Sequence, residues 1–203
     1  MQQLEIINIL QNNLKFSAND VEKLKKFIEI LLFENQKHNL IGKSTESVIW
    51  ERHILDSAQI VNFIDFKSSL LADLGSGAGF PGLVLAIFNK NPNFHVKLYE
   101  KSPIKRVFLK KVIKLLSIKA DVANNIYDHP LKANIIVSRA FKKLEEILKI
   151  SREMNKKPHK IIILKGKNAQ EEINRLSLTT NYSYKIKNSI TNTDSKIIIF
   201  EVT

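Results

Sequence analysis

Three glycines at alternate positions after a short apolar run constrain the fold more than any other feature of this chain. The apolar run Leu70–Leu74 leads into Gly75, Gly77 and Gly79, and a helical pattern begins at about Leu83. Glycine permits a positive φ angle and lets a ligand approach the backbone closely. In an open parallel sheet, ligands bind beyond the carboxyl ends of the strands, and the first strand-to-helix turn is the usual place. The segment therefore predicts a nucleotide-binding loop on an α/β sheet.

The residues after Phe66 alternate between short apolar runs and helical patterns, which is typical of a doubly wound sheet with helices on both faces. The predicted strands are Leu70–Leu74, His95–Tyr99, Ala120–Ala123, Ala133–Ser138, Lys160–Lys165, Tyr182–Lys187 and Lys196–Val202. The predicted helices include Pro103–Leu116, Leu144–Met154 and Ala169–Leu176. A polar connection over residues 188–195 joins the last two strands and predicts an antiparallel hairpin. We therefore expect a Rossmann-like α/β fold with a seven-stranded, mostly parallel sheet and an antiparallel edge strand.

The first sixty residues are predicted to be helical. Apolar residues spaced three and four apart form one helix face; they are Val21, Leu24, Phe27, Ile28, Leu31 and Leu32. Ser17 and Asp20 have the spacing of a helix start signal. A second helical stretch runs from about Glu46 to Asn62. We expect residues 1–66 to form a helical N-terminal extension packed on an α/β domain of residues 67–203.

The charge balance favours a polyanionic partner. The 203 residues carry a formal net charge of +12, which favours nucleic acid first and an acidic membrane second; a Lys-rich coding composition is the alternative. Zero cysteines exclude a thiolate metal site and a cysteine nucleophile. No apolar run is long enough to span a bilayer, and residues 1–13 have no signal-peptide features, so we expect a cytoplasmic protein.

Two cofactors compete for the glycine-rich segment. Residues 77–82 match the dinucleotide pattern G-x-G-x-x-G, and Glu100 lies near the spacing of a ribose-binding acid. However, Asp73 precedes the first glycine by two residues, and a carboxylate there would repel a pyrophosphate. S-adenosyl-L-methionine (AdoMet) instead carries a sulfonium and an ammonium, which Asp73 would attract. The pattern D-x-G-x-G-x-G is that of class I AdoMet-dependent methyltransferases, so we predict AdoMet rather than NAD, with Glu100 accepting hydrogen bonds from the ribose.

Several segments, in order along nearly the whole chain, resemble one family. They are Asn39–Leu40, Arg52–Ser57, Asp73–Gly82, Lys105–Leu109, Val137–Phe141 and Leu164–Gly166. Together they resemble the bacterial 16S ribosomal RNA guanine-N7 methyltransferases of the glucose-inhibited division protein B type. The chain departs from the family pattern at Ile41, where the family usually has threonine, so the resemblance assigns no contact to that position.

The resemblance implies AdoMet contacts at Gly75, Phe80, Ile126, Tyr127 and Arg139. Ile126 and Tyr127 follow the third predicted strand, where apolar and aromatic side chains can pack on the adenine. Arg139 ends the fourth predicted strand, across the transfer site, and is expected to orient the reacting groups; a structural ion pair is the alternative. The predicted cofactor-binding set is completed by Asp73, Gly77, Gly79 and Glu100.

The chain lacks the groups that other base acceptors need. Exocyclic-amine methyltransferases commonly carry an Asn/Asp-Pro-Pro-aromatic motif after the fourth strand, and Asn91–Phe94 resembles it only at the wrong place, before the second strand. Transfer to cytosine C5 needs a cysteine. Guanine N7 presents an unprotonated lone pair and needs only alignment, for which proximity and orientation supply roughly 7–11 kcal/mol.

Basic residues near the predicted site are candidates for contact with 16S ribosomal RNA or the small ribosomal subunit. They are Arg52, His53, Lys105, Arg106 and Lys165. Arg52 and Asp56 are four residues apart, so a surface ion pair is the alternative for them, and a charged helix face is usually only solvated. The five histidines are scattered, so we expect no metal, and we expect a monomer.

The sequence alone leaves two other functions open. A small-molecule methyltransferase would have a closed cleft and a charge nearer neutral. A non-catalytic RNA-binding protein could keep the same fold, although the intact Asp73 and Glu100 argue against it.

Overall fold

The computed structural model describes residues 1–67, 70–179 and 183–202. Within these residues the strands are β1 Leu70–Leu74, β2 His95–Tyr99, β3 Ala120–Ala123, β4 Ile135–Arg139, β5 His159–Lys165, β6 Tyr184–Asn188 and β7 Lys196–Val202. They form one sheet in the order β3-β2-β1-β4-β5-β7-β6. Strands β1 to β5 pair in parallel, whereas β7 pairs antiparallel with both β5 and β6. The predicted seven-stranded, mostly parallel sheet with an antiparallel hairpin at one edge is confirmed.

Strand boundaries differ from the predictions in three strands, and two of these, β4 and β6, also end one residue later than predicted, at Arg139 and Asn188. Strand β4 begins at Ile135 rather than Ala133, because the side chain of Asn134 accepts a hydrogen bond from the Leu70 N–H at 3.2 Å beside the ladder. Strand β5 begins one residue earlier than predicted, at His159. The strand predicted from Tyr182 begins at Tyr184, and Tyr182 itself lies outside the described residues.

The helices alternate with the strands as the sequence predicts. They are α1 Gln3–Asn8, α2 Ala18–Asn35, α3 Asp56–Ala58, α4 Gly82–Phe88, α5 Pro103–Leu116, α6 Leu144–Met154 and α7 Ala169–Thr179. The predicted bounds of α5 and α6 are confirmed, and α7 extends three residues beyond the predicted Leu176. None of the helices in the described part of the chain is both long and apolar enough to cross a membrane.

Helix α2 begins where the sequence predicts. The Ser17 hydroxyl accepts a hydrogen bond from the Asp20 N–H at 3.2 Å, and the Asp20 carboxylate accepts one from the Ser17 N–H at 2.8 Å. This reciprocal capping box satisfies two N–H groups that a helix start otherwise leaves without partners. The Asp20 carboxylate is 1% exposed and also pairs with Lys90, which ties the start of α2 to the residues after α4.

The second predicted helical stretch is irregular. It consists of a π-helical turn Trp50–Leu55, the short α3 and a 3₁₀ turn Gln59–Phe63, and we call it segment 50–63. It begins later than the predicted Glu46, because residues 46–48 form a turn. Apolar spacing indicates which face of a helix is buried, but it does not determine where the first helical hydrogen bond forms. Single π-helical turns are frequent at functional sites, although the other one among the described residues, Ile9–Asn13, lines neither of the cavities described below.

The sheet separates two apolar clusters, and the N-terminal helices belong to one of them. Leu24 and Phe27 of α2 lie in the same buried cluster as Leu83 of α4 and Phe108 of α5. The rings of Phe27 and Phe80 lie 5.2 Å apart, and those of Phe27 and Phe108 lie 6.4 Å apart. The extension therefore packs on α4 and α5 through a shared core, and the other face of the sheet packs against α6 and α7.

The strand order determines where a ligand can bind. Strand β1 lies between β2 and β4. Strands β2 and β3 are therefore added on one side of β1, and the strands from β4 onwards are added on its other side. At such a switch point the loops leave a crevice beyond the carboxyl ends of the strands. Here the crevice opens beside Leu74 at the end of β1 and Arg139 at the end of β4.

Candidate functional site

The glycine loop after β1 adopts a conformation that glycine alone accepts readily. Gly75, Gly77 and Gly79 have φ angles of +73°, +56° and +100°, in the left-handed region that side chains with a Cβ disfavour. A Cβ on Gly75 would lie 2.2 Å from the ring of Phe141. The loop is anchored to β2, because the N–H groups of Gly75 and Ser76 both donate to the Tyr99 carbonyl at 3.0 Å.

Glu100 completes this loop from the end of β2. Its carboxylate accepts hydrogen bonds from the Gly77 N–H and from the Ser102 N–H, each at 2.8 Å. The same side chain lines the cavity described next. Glu100 therefore holds the loop in place and also presents a carboxylate to a ligand.

A cavity of about 430 Å³ lies above the loop, and we call it the glycine-loop cavity. Its walls combine backbone from the loop with apolar and charged side chains. They are Leu40, Ile41, His53, Gly75, Ser76, Gly77, Ala78, Phe80, Tyr99, Glu100, Lys101, Lys105, Asn124, Ile126, Arg139, Ala140 and Phe141. The predicted cofactor contacts Gly75, Gly77, Phe80, Glu100 and Ile126 are thus brought together with Arg139. Tyr127 and Gly79 are not on this wall, and Tyr127 is 48% exposed.

Asp73 lies behind the loop rather than on the cavity wall. Its side chain is fully buried, and Oδ2 accepts a hydrogen bond from the Gly82 N–H at 3.0 Å. Burial raises the pKa of this carboxyl to about 7. Asp73 does not line the glycine-loop cavity, and its contact with the positive charges of a cofactor stays a prediction. A Cβ on Gly82 would lie 2.6 Å from Oδ2, so the glycine there makes room for this carboxylate.

A second cavity of about 290 Å³ adjoins the first, and we call it the hairpin cavity because the β6–β7 loop forms part of its wall. It is lined by Thr45, Arg52, His53, Asp56, Gln59, Arg139, Ala140, Leu164, Lys165, Gly166, Ser189, Ser195, Lys196 and Ile197. His53, Arg139 and Ala140 line both cavities. Ala140 has a φ of +49°, so the backbone is strained by about 1 kcal/mol where the cavities meet.

Arg139 stands at this junction and joins β4 to segment 50–63. Nη1 donates to the Arg52 carbonyl at 2.8 Å and to Asp56 Oδ2 at 3.2 Å, and Nη2 donates to His53 Nδ1 at 2.8 Å. The guanidinium also lies over the Phe80 ring, 5.1 Å from its centroid. A guanidinium carries five N–H groups, so two of them have no partner among the described residues.

His53 is held neutral in one tautomer. A guanidinium only donates hydrogen bonds, so Nδ1 of His53 accepts from Arg139 and carries no proton. Nε2 then carries the proton and donates to Thr45 Oγ1 at 2.9 Å. Burial, together with the positive charges of Arg139 and Arg52, lowers the pKa of His53 to about 3. The histidine at the junction therefore has no free lone pair and does not act as a general base.

The other predicted RNA residues divide into two groups. Lys105 lines the glycine-loop cavity, and Arg52 is exposed at the hairpin cavity. By contrast, Arg106 donates to the Glu100 and Lys101 carbonyls and to Asn124 Oδ1 and lines neither cavity. Lys165 lines the hairpin cavity but pairs with Glu172 at 2.8 Å. Arg106 therefore holds the backbone of Glu100 and Lys101 in place through hydrogen bonds.

Sequence reasoning missed the residues that hold the hairpin cavity in shape. Gln59 is 4% exposed, donates to Asp56 Oδ1 at 2.9 Å and to Ser189 Oγ at 3.0 Å, and accepts from the Ile190 N–H at 2.9 Å. Thr191 also donates to Asp56 Oδ1, at 3.1 Å. No sequence pattern links residues 130 positions apart, so only the tertiary structure brings them together.

No group of three or more His, Asp or Glu that could hold a metal occurs in residues 1–67, 70–179 or 183–202.

Solved structures with the same fold are AdoMet-dependent methyltransferases. A SAM-dependent methyltransferase from Aquifex aeolicus matches with a TM-score of 0.61 at 11% identity, over 78% of this chain and 94% of that one. An RNA methyltransferase from Salinibacter ruber, in complex with S-adenosyl-L-homocysteine, matches with a TM-score of 0.54 at 10% identity, over 72% and 89%. The fold is therefore the Rossmann-like fold of AdoMet-dependent methyltransferases.

Relatives in sequence narrow this class to one family. Residues 20–198 match the family described as rRNA small subunit methyltransferase G. "Ribosomal RNA small subunit methyltransferase G" of Pelagibacter ubique (strain HTCC1062) is 38% identical over 178 residues, which cover 85% of this chain and 84% of that protein. The protein of the same name from Orientia tsutsugamushi (strain Ikeda) is 36% identical over 200 residues, 98% of each chain. The chain belongs to the rRNA small subunit methyltransferase G family.

The bonding of His53 gives the first testable prediction. Between pH 5 and pH 8 the imidazole should not titrate, because its folded pKa is about 3. The unfolded chain binds a proton on His53 near pH 6.5, so this group lowers the free energy of unfolding as pH falls from about 6.5 towards 3. Imidazole ¹⁵N shifts should report a constant Nε2–H tautomer over pH 5–8.

The matched variant for this experiment is Arg139→Gln. It removes one positive charge and the donor to Nδ1, so the pKa of His53 should rise. A wild-type His53 signal that titrates between pH 5 and 8 would contradict the assigned tautomer and bonding.

Proposed function

We propose that this protein transfers a methyl group from AdoMet to N7 of a guanosine in 16S ribosomal RNA. The observation that carries the proposal is the pair of adjoining cavities that meet at Arg139, one above a methyltransferase-type glycine loop and the other lined by several cationic side chains. Membership of the rRNA small subunit methyltransferase G family supports the substrate. Because ribosomal RNA is the substrate, we place the enzyme in the cytoplasm.

The residues of the glycine-loop cavity fit AdoMet. The Gly75 backbone leaves a cradle that a Cβ would close against Phe141. Glu100 presents carboxylate oxygens suited to the ribose hydroxyls, and buried Ile126 offers an apolar surface for the adenine. Phe80 forms part of the same wall, with the Arg139 guanidinium over its ring. When bound, AdoMet supplies an electrophilic methyl group on a sulfonium.

Asp73, Gly79 and Tyr127 have other roles in this proposal. The Asp73 carboxyl supports the loop through the Gly82 N–H. Gly79 gives the turn that leads into α4, because a Cβ there would meet Leu83 at 2.5 Å. Tyr127 is exposed beside Ile126, where it can cover the adenine side of the cavity from outside.

The chemistry at N7 needs alignment rather than proton removal. Guanine N7 has a lone pair at neutral pH, and the nearest histidine, His53, has none to offer. Arg139 is the group that orients the acceptor, because it lines both cavities and keeps two N–H groups that have no partner in the part of the chain that the structure describes. Catalysis then relies on proximity and orientation, which supply roughly 7–11 kcal/mol.

Both parts of the chain contribute to RNA binding. We propose that the extension, residues 1–66, supplies Arg52, His53 and Asp56, while the α/β domain, residues 67–203, supplies the cofactor loop together with Lys105 and Lys165. The net charge of +12 supports phosphate contact. We propose that the enzyme is a monomer and that it acts without a metal.

Cofactor binding is tested with Glu100→Ala. The purified protein should bind AdoMet and S-adenosyl-L-homocysteine but not NAD. Loss of the carboxylate should weaken binding of S-adenosyl-L-homocysteine by about 1–3 kcal/mol, the scale for a hydrogen bond to a charged group. Calorimetry measures this, and Asp121→Ala, which removes an exposed carboxylate from β3, is the control. Wild-type affinity in Glu100→Ala would argue strongly against the assigned cavity.

RNA binding is tested through its salt dependence. The double variant Arg52→Gln/Lys105→Gln should lower the slope of log affinity against log salt by about 1.4, because each single-strand phosphate contact contributes about 0.7. Lys149→Gln/Lys156→Gln removes the same charge from exposed positions that line neither cavity and should leave the slope near its wild-type value. Equal slopes in the two double variants would place the RNA elsewhere.

The acceptor atom is tested through the product. Methylation at N7 puts a positive charge on the base and labilises its glycosidic bond, so mild reduction followed by aniline should cleave the RNA at one guanosine. Arg139→Ala should abolish this cleavage site, whereas Arg175→Ala, a surface change on α7, should preserve it. Circular dichroism checks that both variants remain folded.

The pH profile gives an independent check on the acceptor. Without a general base, activity should not fall about tenfold for each pH unit between pH 8 and pH 6. Asp73, whose pKa is about 7, takes up a proton in this range, but it removes no proton from the acceptor. A product that resists aniline would exclude N7 as the acceptor, and activity that falls about tenfold for each pH unit below neutral pH in the folded enzyme would indicate a general base.

A further inference from the structure

The hairpin cavity has the walls that a planar base needs. Leu164 and Ile197 give it apolar surface, while Arg139, Asp56, Ser189 and Ser195 give it hydrogen-bonding groups. It shares three wall residues with the glycine-loop cavity, so a ligand in one cavity lies beside a ligand in the other. Enzymes that modify a base bring it out of the stack into such a pocket.

Arg139 and Asp56 present a donor next to an acceptor in this cavity. Their side chains are 16% and 18% exposed and are joined by one contact of 3.2 Å, between Nη1 and Oδ2. Arg139 has two N–H groups that are unpaired among the described residues. Asp56 Oδ2 accepts only from Arg139 in the described part of the chain, so it keeps a lone pair for a ligand.

The carboxylate of Asp56 is held in position by its other oxygen. Oδ1 accepts from Gln59 Nε2 at 2.9 Å and from Thr191 Oγ1 at 3.1 Å. Gln59 in turn bonds Ser189 in the β6–β7 loop. Oδ2 is therefore fixed beside the guanidinium before any ligand arrives.

We propose that the hairpin cavity binds a guanine base swung out of the RNA strand, and that Arg139 and Asp56 together read its O6 and N1–H. Guanine carries an acceptor at O6 next to a donor at N1, which matches a guanidinium beside a carboxylate. Adenine carries the reverse, a donor at N6 next to an acceptor at N1. Its N6–H would face an N–H of Arg139 and its N1 lone pair would face the Asp56 carboxylate, so neither hydrogen bond would form. The inference rests on the proposed function and specifies how its acceptor is recognised.

The same arrangement orients the reacting atom. On guanine, N7 lies on the opposite side of O6 from N1. Asp56 lines only the hairpin cavity, whereas Arg139 lines both. With N1 at Asp56 and O6 at Arg139, N7 faces the glycine-loop cavity, where the methyl donor binds. The Arg139–Asp56 pair thus determines which base is bound and also which edge of that base faces the methyl donor.

The test compares two RNAs that differ only at the target base. The target guanosine is first mapped by aniline cleavage, and ligated RNAs then carry guanosine or N1-methylguanosine at that position. The wild-type enzyme should have a kcat/KM at least ~50-fold lower for N1-methylguanosine, since it loses a hydrogen bond to a charged group. In Asp56→Ala, kcat/KM for guanosine should fall by at least ~10-fold, and the two RNAs should differ by less than ~3-fold.

Two control variants separate recognition from structure. Thr191→Val removes a structural partner of the same carboxylate and should keep most of the discrimination, and Asp121→Ala should keep all of it. Affinity for S-adenosyl-L-homocysteine should be unchanged in all three variants.

Each outcome decides between the two proposals. A wild-type enzyme that methylates no RNA would refute the proposed function. A wild-type enzyme that methylates both RNAs equally, or an Asp56→Ala enzyme that keeps the wild-type discrimination, would refute the inference alone. If Asp56→Ala and Thr191→Val both lose activity on both RNAs to the same extent, Asp56 is structural and the inference is wrong. Loss in Asp56→Ala with activity kept in Thr191→Val supports it.

Discussion

Both cavities depend on the guanidinium of Arg139. It joins the end of β4 to segment 50–63 through the Arg52 carbonyl, His53 and Asp56. Burial lowers the pKa of Arg139, while the Asp56 carboxylate raises it. A charge that is removed from water needs an opposite charge or hydrogen bonds nearby. Removing one partner of a fully buried ion pair lowers the free energy of unfolding by about 3–5 kcal/mol. Because both side chains here remain partly exposed, the cost is smaller, and the pair can still contact a ligand.

Two acidic side chains, Glu100 and Asp73, lie at different depths beside the glycine loop. Glu100 lies on the cavity wall and bonds the loop N–H groups, whereas Asp73 lies beneath and bonds the first N–H of α4. The outer carboxylate is placed to meet a ligand, and the inner one supports the backbone that the ligand contacts. Burial raises the pKa of Asp73 to about 7, because no neighbouring charge fully offsets the loss of water. The loop therefore depends on a carboxyl group that does not line the glycine-loop cavity.

Periodicity and glycine spacing predicted most of the fold, since local patterns determine strands and helices. The bounds of β1, α5 and α6 and the position of the loop follow from residues adjacent in sequence. Side-chain direction was harder to predict. Asp73 was expected to face the cofactor, but a strand pattern does not show on which side of a following loop a side chain lies. The Gln59 and Thr191 contacts with Asp56 join remote parts of the chain, so no local pattern contains them.

The bond between Gln59 and Ser189 spans 130 residues, and this separation has a consequence for biosynthesis. Segment 50–63 leaves the ribosome long before the β6–β7 loop that it must meet. At about 5–20 residues per second, the delay is roughly 7–26 s. During that interval the polar face of the segment has no partner from the hairpin. The residues that line the glycine-loop cavity end at Phe141, whereas the lining of the hairpin cavity extends to Ile197. All of the residues of the first cavity are therefore synthesised before the last residues of the second.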